Sequence, residues 1–308
     1  INAEAGAADY NYAQIGHLGA DMSPDATVEA AVDAGIEITA GNNLNFKAGA
    51  DSDTYAQLGH GGYRADGNHS GAITISSAND LSFKAGTGDR AYAQLGHGGA
   101  FADGNHSGVI TISSANNLNF EAGGGGGTDY TYAQLGHGGA NADGDHRGDI
   151  TISSANDLNF KVGADSDAYA QLGHGGYSAD GSHTGDITIS STNNLNFEAG
   201  ASNYAYAQLG HGGVFADGSH SGVITISSAN NLNFEAGTDF DTYAQLGHGG
   251  AYADGNHSGD IDITLVGGLT LTGVDTAYKY AMIGHGDQPG DVDSGNTVSG
   301  DLTLRVGG

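Results

Sequence analysis

Three short runs of alternating apolar and polar residues recur along the whole chain. In residues 195 to 231 they are Leu195-x-Phe197, Ala207-x-Leu209 and Ile224-x-Ile226, each interleaved with small or polar partners and bounded by Gly, Asn, Asp and Ser. Period-two alternation over so few residues predicts half-buried strands. A single stretch departs from it: Ser23-Pro24-Asp25-Ala26-Thr27-Val28-Glu29-Ala30-Ala31-Val32-Asp33 has a capping Ser, a Pro at the first position and acids in the first turn, and predicts a short helix.

The alternation repeats with a fixed period. The marker YAQ[LI]GH, which reads YAMIGH in the last copy, places histidines at His17, His60, His97, His137, His174, His211, His248 and His285, most of them 37 residues apart. The copies run 1-43, 44-80, 81-117, 118-157, 158-194, 195-231, 232-268 and 269-308, with the excess length in local insertions, such as Gly124 to Gly126 and the segment around Asp287-Gln288-Pro289. A repeat of this size signals an array rather than a compact globule. Three strands per repeat joined by tight turns predict an all-β fold: a parallel β-helix of eight coils in one elongated domain spanning residues 1-308. At the strand spacing of a sheet, eight coils make a rod about 40 Å long.

Columns of like residues support one coil per repeat. The position after the Phe of the first strand runs Glu4, Lys47, Lys84, Glu121, Lys161, Glu198 and Glu235, and four of its six neighbouring pairs are of opposite charge. Such pairs meet only if successive copies are adjacent strands. Phe46, Phe83, Phe120, Phe160, Phe197 and Phe234 form an inward aromatic column, and Asn43, Asp80, Asn117, Asp157, Asn194 and Asn231 share one turn, where stacked amides can bond along the axis.

Composition then narrows the function. Eight basic against 36 acidic residues give a formal charge of -28, which excludes nucleic acid as a partner, because phosphate contacts need clustered Lys and Arg. Without cysteine there is neither a disulfide framework nor a thiolate metal site. No long apolar run is present, so membrane insertion is not expected. The first copy opens on Ile1 rather than Met, which reads as a processed product or a piece of a longer chain.

The candidate chemistry lies in the histidines. Beyond the eight GH residues, six more sit in A-D-G-x-H turns, pairing Asp66 with His69, Asp103 with His106, Asp143 with His146, Asp180 with His183, Asp217 with His220 and Asp254 with His257. An Asp and a His three apart could share a divalent cation with ligands from the next coil. A closed zinc site wants about four ligands and this motif offers two, so a turn in which Asp caps backbone N–H groups is preferred and no cofactor is expected. The GH histidines share parity with the inward Ala and Leu of their strand, which predicts a partly buried ladder of neutral imidazoles bonded head to tail; the opposite parity would bury Tyr and Gln instead. A metal or haem ladder is the alternative use of that column.

Every Ser, His and Asp occurs in a repeated register, so no nucleophile with its own orienting partner stands out and no enzyme is expected. GHGG is only superficially similar to calcium-binding G-G-x-G-x-D repeats. Thr111, Ser113, Thr225 and Ser227 belong to an outward hydroxyl array that resembles ice-binding solenoids, but ordinary β-propensity accounts for it. Arg147-Gly148-Asp149 spells an integrin-type tripeptide and is read as chance variation of a turn column.

The combination of G-[DAV]-I-T-I-S, N-N-L-N-F-x-A-G and A-Y-A-Q-L-G-H-G-G resembles the repeat region of filamentous-haemagglutinin-type bacterial exoproteins. That resemblance implies a secreted β-helical adhesin, found outside the cell or on its surface, with a cell-surface or matrix ligand, and arrays of this kind act mostly as stalks. The secretion domain expected at the amino end of that family is missing from this sequence. The leading expectation is an extracellular fibre or fibre segment, with an adhesin stalk and a metal- or haem-binding exoprotein as alternatives. Residues 302 to 306 match residues 261 to 265, whose sequence runs on into Leu269-Thr270-Leu271. Copies are therefore expected to stack head to tail, Ile1 and Ala3 of one meeting Leu302, Leu304 and Val306 of the next.

Overall fold

The computed structural model describes residues 1–20, 31–77, 79–114, 116–124, 130–154, 156–191, 193–274, 278–286 and 296–307. They form a parallel β-solenoid. Each coil contributes four strands, not the three expected; in one coil these are Asn194–Glu198, Tyr206–Leu209, His220–Ser221 and Ile224–Ala229. The additional strand is the two-residue His-Ser segment, too short for any periodicity to betray it. Every strand pairs with its equivalent in the next coil, giving four eight-stranded sheets, named below by their residues as Leu-Phe, Tyr-Gln, His-Ser and Ile-Thr. Eight strands per sheet span seven coil-to-coil steps, so the rod makes about seven turns where eight complete coils were expected.

Register is one residue to one residue, apart from a shift between Ser227 and Ala229: Leu118, Asn119 and Phe120 pair with Leu158, Asn159 and Phe160, and Ile110 and Thr111 with Ile150 and Thr151. Repetition enforces this, because a slip by one residue would turn each inward Leu, Phe or Ile to solvent. The Phe column stacks ring on ring, with centroids 4.7 Å apart between Phe46 and Phe83 and 4.9 Å between Phe160 and Phe197. With Leu and Ile from the facing sheets it forms one continuous core along the axis. Three of the expected charge pairs form: Lys47 meets Glu4 at 2.5 Å, Lys84 meets Glu121 at 2.7 Å, and Lys161 meets Glu198. All are exposed and contribute little stability.

The turn amides also bond along the axis as expected, Asn231 Nδ2 donating to Asn194 Oδ1 at 2.9 Å. A second ladder, on the outer face of the Leu-Phe sheet, runs Asn233 to Asn196 to Asn159 to Asn119 at 2.8 to 2.9 Å. The hydroxyl array faces outward, with Ile150 and Ile152 buried and Ser153 exposed beside them. Of the expected helix, Val32–Asp33 is instead a strand of the His-Ser sheet, and residues 21–30 lie outside the described residues. The Gly125-Gly126 and Asp287-Gln288-Pro289 insertions lie outside them too.

The six inner Tyr-Gln strands are buried on both faces, so the two parities weighed from the sequence are both realised. Ala and Leu face the main core, while Tyr55, Tyr92, Tyr132, Tyr169, Tyr206 and Tyr243 pack into a second cluster on the other side. The GHGG and ADG segments after each strand complete that cover.

Candidate functional site

Glycine makes the cover possible. Gly98 has φ of +103°, and a Cβ there would lie 2.7 Å from the Gly138 carbonyl oxygen and 2.8 Å from a ring atom of His106. A Cβ on Gly99 would meet the Tyr92 hydroxyl at 2.7 Å. The GHGG motif is thus a packing requirement, where backbone lies on backbone and on ring. Gln94 closes the arrangement from its own strand, donating from Nε2 to the carbonyls of Gly136 at 3.2 Å and Gly138 at 2.9 Å in the next coil. Tyr243 donates to Gln208 Oε1 at 3.4 Å. The sequence signal for this network was the recurrence of Tyr-Ala-Gln in every copy up to the seventh; residues 280 to 282 of the last read Tyr-Ala-Met.

Seven GH histidines share one bonding pattern, different from the head-to-tail chain expected. The rings stack in parallel, with centroids 4.8 to 5.1 Å apart, and do not bond to each other. Instead the backbone N–H of His97 donates to Nδ1 of His137 at 3.0 Å, and that of His137 to Nδ1 of His174 at 2.9 Å. The other ring nitrogen, Nε2, lies 2.9 Å from the Gly108 carbonyl oxygen in His137 and 2.7 Å from that of Gly148 in His174. An Nδ1 that accepts from an amide carries no proton, so Nε2 carries it and donates to the carbonyl. Both nitrogens are therefore occupied by backbone, and the imidazole is fixed as one neutral tautomer. Burial adds to this, holding His137 and His211 down at about 4 and His97, His174 and His248 well below the ordinary value.

The Asp-x-x-His turns divide their two side chains. His69, His106, His146, His183, His220 and His257 are buried and stack 4.7 to 5.1 Å apart as a second imidazole column. His146 and His220 bond through Nε2 to the carbonyls of Ala142 and Ala216, both at 2.9 Å, and burial holds them down at about 4 and about 3. The carboxylates of Asp66, Asp103, Asp143, Asp180 and Asp217 point the other way, each accepting the backbone N–H of the next aspartate in the column, which ends at Asp254, at 2.9 to 3.0 Å. The residues that could have shared a cation are thus not brought together. Among the described residues no three His, Asp or Glu side chains converge in a geometry that could hold a metal ion.

Exhaustive chelation is therefore expected to leave the far-UV strand signal and the melting temperature unchanged. A loss of either would make the Asp-x-x-His turns ligands after all.

Comparison with protein families, curated proteins and solved structures found no match. The chain must be read from its own geometry, and that geometry uses its polar side chains along the axis. Asp149 accepts the backbone N–H of Asp186 at 2.9 Å and so belongs to an axial ladder, while Arg147 pairs within its own coil with Asp145. At the two ends the columns are open. Ile1, Leu302, Leu304 and Val306 are exposed, and Ala3 packs partly buried against the core.

Proposed function

We propose that this chain is a structural solenoid: a length of rigid extracellular fibre or stalk whose coils continue axially by strand stacking. One observation carries the reading. Asn, Gln, Asp and His side chains that elsewhere would do chemistry are here bonded to the neighbouring coil, at 2.8 to 3.0 Å, by equivalents repeated along the axis. A molecule so organised transmits length and stiffness and presents identical surfaces at each step. The extracellular setting rests on the resemblance of its repeats to secreted β-helical exoproteins.

The terminal coils support axial continuation. In the last strand of the Ile-Thr sheet, Ile261 N–H donates to Asp301 and Gly307 N–H donates to Leu265, both at 2.8 Å. Alternation along a parallel ladder leaves the backbone groups of Leu302 and Leu304 facing the open edge. These residues, 53% and 43% exposed, continue the Ile column that is buried in the inner coils. An open edge of this kind is a template for another strand, supplied by a second copy or by further chain.

Sedimentation and electron microscopy test it. Particles are expected to lengthen with concentration in steps of one rod, and Leu304→Lys, which puts a charge on the open column without touching the ladder already formed, is expected to leave single rods of unchanged strand content. Single rods at every concentration for the unsubstituted chain, or equal assembly by the Lys variant, would sink stacking between copies.

A further inference from the structure

Two columns break the uniformity of the coils, and both run along the same corner. Elsewhere the backbone visits positive φ largely at glycine, as at Gly98 and Gly138. In these columns it does so in every described coil, at Asp167, Asp241, Asn141 and Ser178 and also at large side chains: Tyr204 (φ 55°) and Tyr130 (φ 59°) in one, Phe215 (φ 55°) and Tyr252 (φ 59°) in the other. An aromatic residue in the left-handed region is strained where glycine would be relaxed. Retained strain points from the geometry to a use for the side chain.

The rings of neighbouring coils meet. Tyr204 lies 5.5 Å from Phe215, 6.0 Å from Phe240 and 6.4 Å from Tyr252, centroid to centroid, and Phe215 stacks on Tyr252 at 5.1 Å. Phe240 is 45% exposed although coils lie on both sides of it. Beneath the rings sits Asp241, 1% exposed; its Oδ2 accepts the Tyr252 hydroxyl at 2.7 Å and its Oδ1 has no hydrogen-bond partner. The first column alternates Tyr130, Asp167, Tyr204, Asp241, Tyr278, with a period of two coils where other columns have one.

We propose that the patch of Tyr204, Phe215, Phe240 and Tyr252, with Asp241 beneath it, binds a neutral linear polysaccharide laid along the solenoid axis. Sugar rings offer C–H faces to aromatic rings and hydroxyl donors to oxygen acceptors, and this corner supplies both. A phenolic oxygen that gives its proton to a carboxylate, as that of Tyr252 does to Asp241, presents lone pairs to a sugar hydroxyl. The chain's charge of -28 disfavours an acidic glycan, and the ammonium of Lys279, next in sequence to Tyr278, is engaged by the Thr238 carbonyl. A polymer with a short repeat suits a surface that itself repeats along one axis. The proposal goes beyond the structural role and does not depend on axial growth.

The test is calorimetry on single rods with cellohexaose and chitohexaose, and co-sedimentation with microcrystalline cellulose and chitin, with polygalacturonate as the acidic comparison. The unsubstituted chain is expected to bind a neutral probe and to ignore polygalacturonate. Tyr204→Gly and Phe215→Gly, which remove a ring and relax the backbone, are expected to weaken binding about tenfold or more without lowering the melting temperature, while Tyr204→Phe retains it. No binding to either oligosaccharide or either solid, preference for polygalacturonate, unchanged binding by the Gly variants, or a melting temperature several degrees lower in them would overturn the proposal. So would variants that alter self-association alone, since the patch would then be a contact between copies.

Discussion

Lowering the pH from 7.5 to 5 is expected to melt the solenoid. The buried imidazoles are neutral in the fold, with His137, His146 and His211 held at about 4 and His220 at about 3, against 6.5 in the unfolded chain. The unfolded state therefore takes up protons first as the pH falls. The stabilisation is complete above pH 6.5, declines below it, and is lost by the time the folded values near 4 are reached. At pH 5 each such histidine has given up about 2 kcal/mol, and several such losses in one column are large against the marginal stability of a folded domain. Geometry gives the same sign. A proton added to Nδ1 of His137 would face the His97 N–H it now accepts from, 3.0 Å away. Circular dichroism melts between pH 7.5 and 5 check this, and an unchanged midpoint would mean that the rings are not held neutral.

A single methyl group at the centre of the rod is expected to be as damaging. Gly173 has φ of +150°, and a Cβ there would lie 1.9 Å from the Gly210 carbonyl oxygen and 2.5 Å from its carbon. The obstacle is backbone, with no rotamer to swing aside, so Gly173→Ala must push apart adjacent coils that the Tyr-Gln ladder holds together. The loss is expected to exceed about 4 kcal/mol, the range reserved for strain and broken packing at once. Gly41→Ala is the control, since nothing lies within 4 Å of its new Cβ. Because each coil touches only its neighbours, hydrogen exchange is expected to lose protection around residues 158–231 first, with the distant coils following. Equal denaturation midpoints for the two alanine variants would show that the coil spacing is not set by glycine.

Much of the fold was legible in the sequence because repetition makes each inference several times over. Leu195, Phe197, Ile224 and Ile226 alternate in every copy, and stacking equivalents in register is the one arrangement that buries them all. The charge column could be read for the same reason, since Lys84 and Glu121 are neighbours only if one repeat is one coil. What eluded the sequence was short or unmarked. His220–Ser221 is a strand of two residues, which no periodicity can reveal, and its existence follows from the coil needing a wall between the ADG turn and the Ile-Thr sheet. Tyr204 and Phe215 carry no sign that their backbone is left-handed, because nothing in an aromatic side chain announces positive φ.

The sequence by itself determined the period, the parallel β-solenoid and the inward columns. These depend on the identity and spacing of residues along one chain. Only the tertiary structure decided how the histidines are used. Alone, GH and Asp-x-x-His were compatible with a ligand set, a head-to-tail imidazole chain or plain turns. The answer lay in atoms 26 to 37 residues away: an amide of the preceding coil on Nδ1, a glycine carbonyl on Nε2, and an aspartate turned outward to the next coil's backbone. Side-chain chemistry is set by what surrounds the side chain, and in a solenoid that surrounding is another coil.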